Sequence, residues 1–554
     1  MDETGNELLT LLDGLPLALA QAAVYLHETR LDIASYVELY KQQWDELIGP
    51  GSGTSASLVD YDRSLGTTWT ITFRLIEEES MSAANLLRLW AFFSNKDLWH
   101  GLLQAAADSR ERWPRWLYNL ACNEVFFLGA TRLLLRYSMI EAQESLQGSY
   151  MMHPVVHRWL LYMQDDPERG KFLQLAVMLL GESVPDGDES ENCWVLQRRL
   201  LPHLERCSWW MGELRKAGWT FDDFATLDQI QILADLYMAH CKLKEAEPMY
   251  LQALEGYEMT LGPDHPSTLE TVHGLGALYR EQGRWEEAEA MYRRALAGFA
   301  FKRNQLSTFN VLSSLGTLYL DLDRLEESNV MFEFALKGKE RALGWDHPST
   351  LSTVHNFGCL YETRGLLDEA EGMYRRMMEG FEKTFGWDHL GTLKAAHNLG
   401  NVYADQGRPK EAEMMYQRAL LGRERALGID HKSTLRTAGN LGLLYAELGH
   451  FGEAEAIIQL SLKGFEKVLG RDHIWTLQVV SNLGYLRILQ GRPEDAEPMY
   501  QRALVGYVKT LGRDHISTLR VGNALRSLCE EQGRLQEAEV VHQRALAGSE
   551  KTFR

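Results

Sequence analysis

Apolar positions in the second half of the chain fall into paired helical faces. Between Gly386 and Gly428, Leu393, Ala396, Leu399, Gly400 and Tyr403 recur at three- and four-residue intervals. That spacing lines one face of a helix. Gly407-Arg408-Pro409 interrupts the pattern. Ala412, Met415, Tyr416, Ala419 and Leu420 then begin a second face. The whole stretch superposes on its neighbours when moved by 42 residues. Asp-His pairs hold the register at His265, His347, His389, His431, His473 and His515, and a degenerate copy at Asn304-Gln305 arrives two residues early. A threonine follows three residues after each: Thr268, Thr308, Thr350, Thr392, Thr434, Thr476 and Thr518, with Thr226 marking one more copy in front. A fixed period of this length predicts eight stacked helix pairs from about Asp223 to the C-terminus.

Small residues are part of the pattern. Gly400 and Ala412 are expected where the two helices cross. A glycine also recurs in every second helix, from Gly256 to Gly548. Glycine inside a helix costs roughly 1 kcal/mol against alanine, so eight such positions predict close helix approach.

Leu275, Gly276, Tyr279, Ala288, Tyr292 and Ala295 resemble the tetratricopeptide repeat, and the linker between units resembles the subtype of kinesin light chains. The resemblance implies a mainly α protein, a right-handed α-solenoid over 223–554 whose concave side is lined by the first helices. Six residues after successive threonines stand Asn356, Asn398, Asn440 and Asn482. An amide both donates and accepts, so this row can pair with a peptide backbone of any sequence. It is equally a solvated polar ladder. Two residues after the threonines the row runs Asp228, Glu270, Asn310, Ser352, Lys394, Arg436, Gln478, Arg520, from acidic to basic. Lys394, Arg436 and Arg520 therefore predict a ligand that is acidic where it meets the later repeats. The recurring histidine cannot form one metal site, since successive helices stand about 8–10 Å apart. Its expected task is the turn between units.

The first 222 residues carry a different resemblance. Gly14-Leu15-Pro16-Leu17-Ala18 opens an apolar run, and Met152-His153-Pro154 follows a predicted hairpin, Tyr137–Ile140 with Ser149–Met152. These resemble the GLPLA and MHD motifs of NB-ARC domains, the nucleotide switches of NLR-type (STAND) receptors. The resemblance is to the C-terminal part of a fungal NLR-like protein with a tetratricopeptide sensor. It implies a helical NB-ARC remnant at 1–48, read as two helices, a flexible linker at 49–66, a winged-helix-like domain at 67–165 and a helical connector at 166–222. It also implies that Pro16 packs on adenine and His153 contacts a β-phosphate. Pro154 replaces the motif's aspartate. His153 and His157 share a helix face but lack the third ligand of a zinc site.

No G-x-x-x-x-G-K-[ST] loop occurs in the sequence, and the glycines at 49–53 are followed by no lysine. The resemblance thus implies ADP or ATP with Mg only alongside an NTPase core that would precede Met1; this chain alone is expected to hold no cofactor and to be no enzyme. Oligomerisation is likewise expected only with that core. Net charge is −20, against nucleic-acid binding. Six scattered cysteines without a CxxC pair fit a reducing compartment, and no apolar run reaches the roughly 20 residues of a membrane span. The expectation is a cytoplasmic, non-catalytic protein- or peptide-binding sensor in an NLR-like switch for immunity or self/non-self signalling. The alternative is a kinesin-light-chain-like cargo adaptor or a stand-alone scaffold.

Overall fold

The computed structural model describes residues 3–12, 16–48, 60–144, 146–185, 191–219, 221, 223–240, 242–301, 305–513, 516–532 and 534. It divides into two bodies, one of residues 1–185 with 196–260, the other of residues 261–554 with 186–195.

The N-terminal body is helical around one small sheet. Three helices, Glu3–Leu11, Pro16–Thr29 and Ile33–Ile48, stand where the pattern predicts two. Arg30 adopts φ 56° and ends the second, and the Asp32 carboxylate accepts the Ser35 N–H at 2.7 Å to start the third. The next helix begins at Asp60, inside the stretch expected to be a linker; residues 49–59 of that expectation lie outside the described residues. The hairpin forms, but later than predicted. The helix Glu124–Arg136 absorbs the expected strand start, and Tyr137 caps it through the Leu133 carbonyl. Ser138 turns the chain at φ 52°. Strands Glu141–Ala142 and Ser149–Met151 then pair antiparallel, and Leu98–Trp99 adds a third strand on the other edge of Ser149–Met151. Trp90, Phe127 and Tyr150 pack beside it as a ring cluster. Helices Pro154–Met163 and Asp166–Ser183 follow, then the helix Glu191–Lys216, which belongs to this body from residue 196 on, and the first repeat, Phe224–Ala239 with Leu243–Thr260.

The C-terminal body is an α-solenoid. Its helix pairs are Pro266–Glu281 with Trp285–Phe301, Gln305–Asp321 with Leu325–Leu343, Pro348–Thr363 with Leu367–Phe385, Leu390–Asp405 with Pro409–Leu427, Lys432–Glu447 with Phe451–Leu469, and Ile474–Leu489 with Pro493–Thr510. Ile516–Glu531 is the first helix of repeat eight. Each buried core seam joins neighbouring pairs, as Tyr374, Leu399, Tyr403, Tyr416 and Leu441 do across repeats four to six.

The Asp-His-x-x-Thr signature is a turn device. His265, His347, His389, His431 and His473 each cap a first helix, the ring Nδ1 accepting the N–H two residues on. Gly386 ends the preceding helix at φ 94°, a conformation open to glycine. The buried Thr392 hydroxyl donates to its carbonyl at 3.0 Å, and the same bond recurs at Thr268, Thr350, Thr434, Thr476 and Thr518. Thr392→Val keeps the shape and removes the donor. It should cost about 1–2 kcal/mol, read as a lower urea midpoint; an unshifted midpoint would mean the hydroxyl is not needed for the turn.

Candidate functional site

Lys394, Asn398 and Asp405 sit at i, i+4 and i+11 of one helix, and Arg436, Asn440 and Glu447 repeat that spacing on the next first helix. Both spacings return to the same helix face. The two triads therefore lie side by side on successive first helices.

The asparagine row is a ladder between repeats. Asn398 Nδ2 meets His355 Nδ1 at 3.0 Å, Asn440 Nδ2 donates to Asn401 Oδ1 at 3.0 Å, and Asn356 reaches Thr317 Oγ1 at 3.5 Å. Asn482 instead accepts from Gln478 on its own helix at 3.0 Å. One amide hydrogen of each of the first three thus ties the stack. Each amide keeps further donor or acceptor groups beyond these bonds.

The cations are held without acids. Desolvation pulls the Lys394 ammonium below the usual lysine range, and Arg436 and Arg423 repel it further. Arg436 is lowered mainly by desolvation; it stacks over Trp475 at 5.4 Å, and its buried Nε has no hydrogen-bond partner. Arg423, on the second helix of repeat five, is 3% exposed and pushed down to about 9 by burial and Arg436. Its Nη1 donates to the Ser433 carbonyl at 3.0 Å and to Thr437 Oγ1 at 2.5 Å. The same positive field reaches two buried histidines. Burial, Lys394 and Arg436 hold His355 at about 3, and burial with Arg423 and Arg436 lowers His397. Arg520 is exposed and bonds Gln478 of repeat seven. In the repeat register the neutral Gln478 separates it from Arg436.

Arg423 escaped the sequence reading. The signal was there: the residue after the helix glycine is Tyr257, Phe299, Phe381, Phe465 or Tyr507 in five repeats, but Lys339 and Arg423 in two. Lys339 is buried too, and desolvation lowers it to about 8.

Pro16 and His153 belong to the N-terminal body and are no part of this stripe. Pro16 opens its helix as the first-turn proline; its side chain, and Asp13 to Leu15, lie outside the described residues. His153 is exposed and caps the helix Pro154–Met163, its Nδ1 accepting the Val155 N–H at 3.3 Å. That is the chemistry of His-Pro at 265 and 347. With Nδ1 accepting, the neutral ring carries its proton on Nε2. His157 is buried instead. Its Nε2 donates to the Phe93 carbonyl at 2.9 Å, and desolvation lowers it to about 4. Among the described residues, no group of three or more His, Cys, Asp or Glu could hold a metal, and no helix is long and apolar enough to cross a membrane.

The family comparison agrees with the repeat geometry. The family model described as tetratricopeptide repeat matches residues 226–300, 307–383, 391–467, 451–507 and 475–551, more than half of the chain. A nucleotide-binding leucine-rich repeat (NLR)-like protein of Hyaloscypha variabilis is 27% identical over 288 residues, covering 48% of this chain and 25% of that protein. The chain thus spans about a quarter of this relative's length. Among solved structures, a STAND protein with a tetratricopeptide repeat sensor from Pyrococcus horikoshii aligns over 95% of this chain and 72% of that one, at 14% identity and TM-score 0.49. The nearly identical repeats of a P. anserina protein described as a kinesin light chain align over 37% of this chain and 97% of that one, at 24% identity and TM-score 0.32. By its repeated helix pairs, their turn chemistry and the span of the matching model, the chain belongs to the tetratricopeptide repeat family.

Proposed function

We propose that this chain is the sensing and regulatory half of an NLR-like nucleotide switch in the cytoplasm, and that its repeats bind a protein or peptide segment. Family membership carries the interaction role. The observation behind the site is the stripe over repeats four to six, where amides stand next to cations that have no acidic partner. The sequence kinship to an NLR-like protein supports the switch. In such a switch a ligand acts only by binding one state more tightly than the other. Immunity or self/non-self signalling is the setting this reading favours. Pro16 and His153 would meet ADP only alongside an NTPase core. His153 would supply the Nε2–H to a phosphate oxygen, and no catalysis is assigned to this chain.

The test is panning of the full chain against random peptides displayed on phage, followed by affinity measurement on the charge-reversed variant K394E/R436E. Enriched peptides should bind the variant about tenfold or more weaker, with a flatter salt dependence. Equal affinity for both proteins would remove the repeats' first helices as the binding surface.

A further inference from the structure

Resting on that reading of the stripe, a second row of charge specifies what the ligand looks like. Asp405 and Glu447 are the final residues of the first helices of repeats five and six. Among the described residues neither makes a hydrogen bond or ion pair. Glu362, one residue from the end of the helix before, accepts only from the Tyr374 hydroxyl. Desolvation raises all three carboxyls, and Asp405 repels both Glu362, lifted to about 7, and Glu447.

The placement runs against local physics. A helix C-terminus disfavours a carboxylate by about 0.3–1 kcal/mol. The second helices obey that rule, with Asp368, Glu369 and Glu411 in their first turns and Lys383 and Arg425 in their last. Elsewhere this protein also pairs its charges. Arg408 meets Glu371 and Glu411, Arg376 meets Glu340, and Lys383 meets Asp346. On this face acids stand at one end and cations at the other without ion-pairing each other; Asp405 and Glu447 are exposed, while Lys394 and Arg436 are largely buried. At the basic end, Arg436 Nε is buried and has no hydrogen-bond partner. Lys394 to Asp405 and Arg436 to Glu447 are each eleven residues, about 16 Å along a helix.

We infer that the stripe over repeats four to six recognises an extended peptide segment carrying an acidic and a basic side chain about 16 Å apart, the acid at Lys394 and Arg436 with Arg423 behind them, the base at Glu362, Asp405 and Glu447. In an extended chain that distance is about five residues. The asparagine ladder lies between the two ends and meets the backbone. A purely acidic segment satisfies the cations but is repelled at the far end, so the ligand must be bipolar and lies along the first helices in one direction.

The panning above decides this with four proteins: the native chain, K394E/R436E, D405K/E447K, and the milder K394Q/R436Q should the reversal unfold, as read by circular dichroism. Native chain should enrich peptides with an acid and a base about five residues apart. D405K/E447K should lose the basic preference and keep the acidic one; K394E/R436E, or its Gln counterpart, should do the reverse. Single-peptide affinities should fall about tenfold on either side. Peptides that depend on the cations but carry no basic residue at that distance would overturn the bipolar ligand and leave peptide binding standing. Enriched peptides indifferent to every variant would overturn both.

Discussion

Gly422→Ala should destabilise the array by about 1–2 kcal/mol, although helix propensity alone favours alanine by roughly 1 kcal/mol. A Cβ at Gly422 would overlap both δ-methyls of Leu393, which is 1% exposed. Leu393 has nowhere to turn in a close-packed seam. Gly400 makes the reciprocal contact, its Cβ position lying 2.7 Å from the Tyr416 ring. The cause can be isolated. Leu393→Ala alone should cost about 2–5 kcal/mol through the cavity it leaves, and in that background Gly422→Ala should be neutral or stabilising. Gly129, also inside a helix, has nothing within 4 Å of its Cβ position; Gly129→Ala should gain up to about 1 kcal/mol. Urea midpoints of the four proteins read the pattern. A Gly422→Ala as favourable as Gly129→Ala would mean that these glycines are not kept for helix contact.

Arg423→Phe should do two opposite things. It should raise stability by about 1–2 kcal/mol, because a buried cation without a carboxylate costs more than a packed ring. The ring has precedents in the register at Phe381 and Phe465, and Tyr507 stands ahead of Ser517 as Arg423 does ahead of Ser433. No polar group is stranded, since Thr437 Oγ1 still donates to the Ser433 carbonyl at 2.9 Å. Acidic peptides should at the same time bind several-fold more weakly, with one positive charge gone from behind Lys394 and Arg436. The pair of measurements is a urea midpoint and a peptide titration. A destabilised variant would mean that Arg423 is held for structure; a stabilised one with undiminished binding would take it out of the site.

The repeat architecture was legible because its markers are side chains with one job each. His389 caps, Gly386 reverses the backbone and Thr392 holds that glycine's carbonyl, so the period could be read straight from their spacing. The hairpin was displaced because Tyr137 and Ile140, apolar enough for a strand, are buried in the core beyond a helix end. Strand Leu98–Trp99 is two residues long and leaves no alternating pattern. At the site, Lys394 and Arg436 were visible as a register row, but Arg423 lies on a different helix and joins them only when the helices stack. The acids Asp405 and Glu447 stand outside the register rows read from the sequence, and their lack of counter-charges shows only in the structure. The asparagines' bonds to the preceding repeat, as from Asn440 to Asn401, cannot be inferred within a single unit.

Hydrogen–deuterium exchange of the full chain, with and without the best peptide from panning, tests the central claim most directly. Bound peptide should slow exchange in the first helices 348–363, 390–405 and 432–447, and the slowing should disappear in K394E/R436E. Protection confined to the second helices, or to residues 3–185, would contradict the placement of the binding site on this stripe.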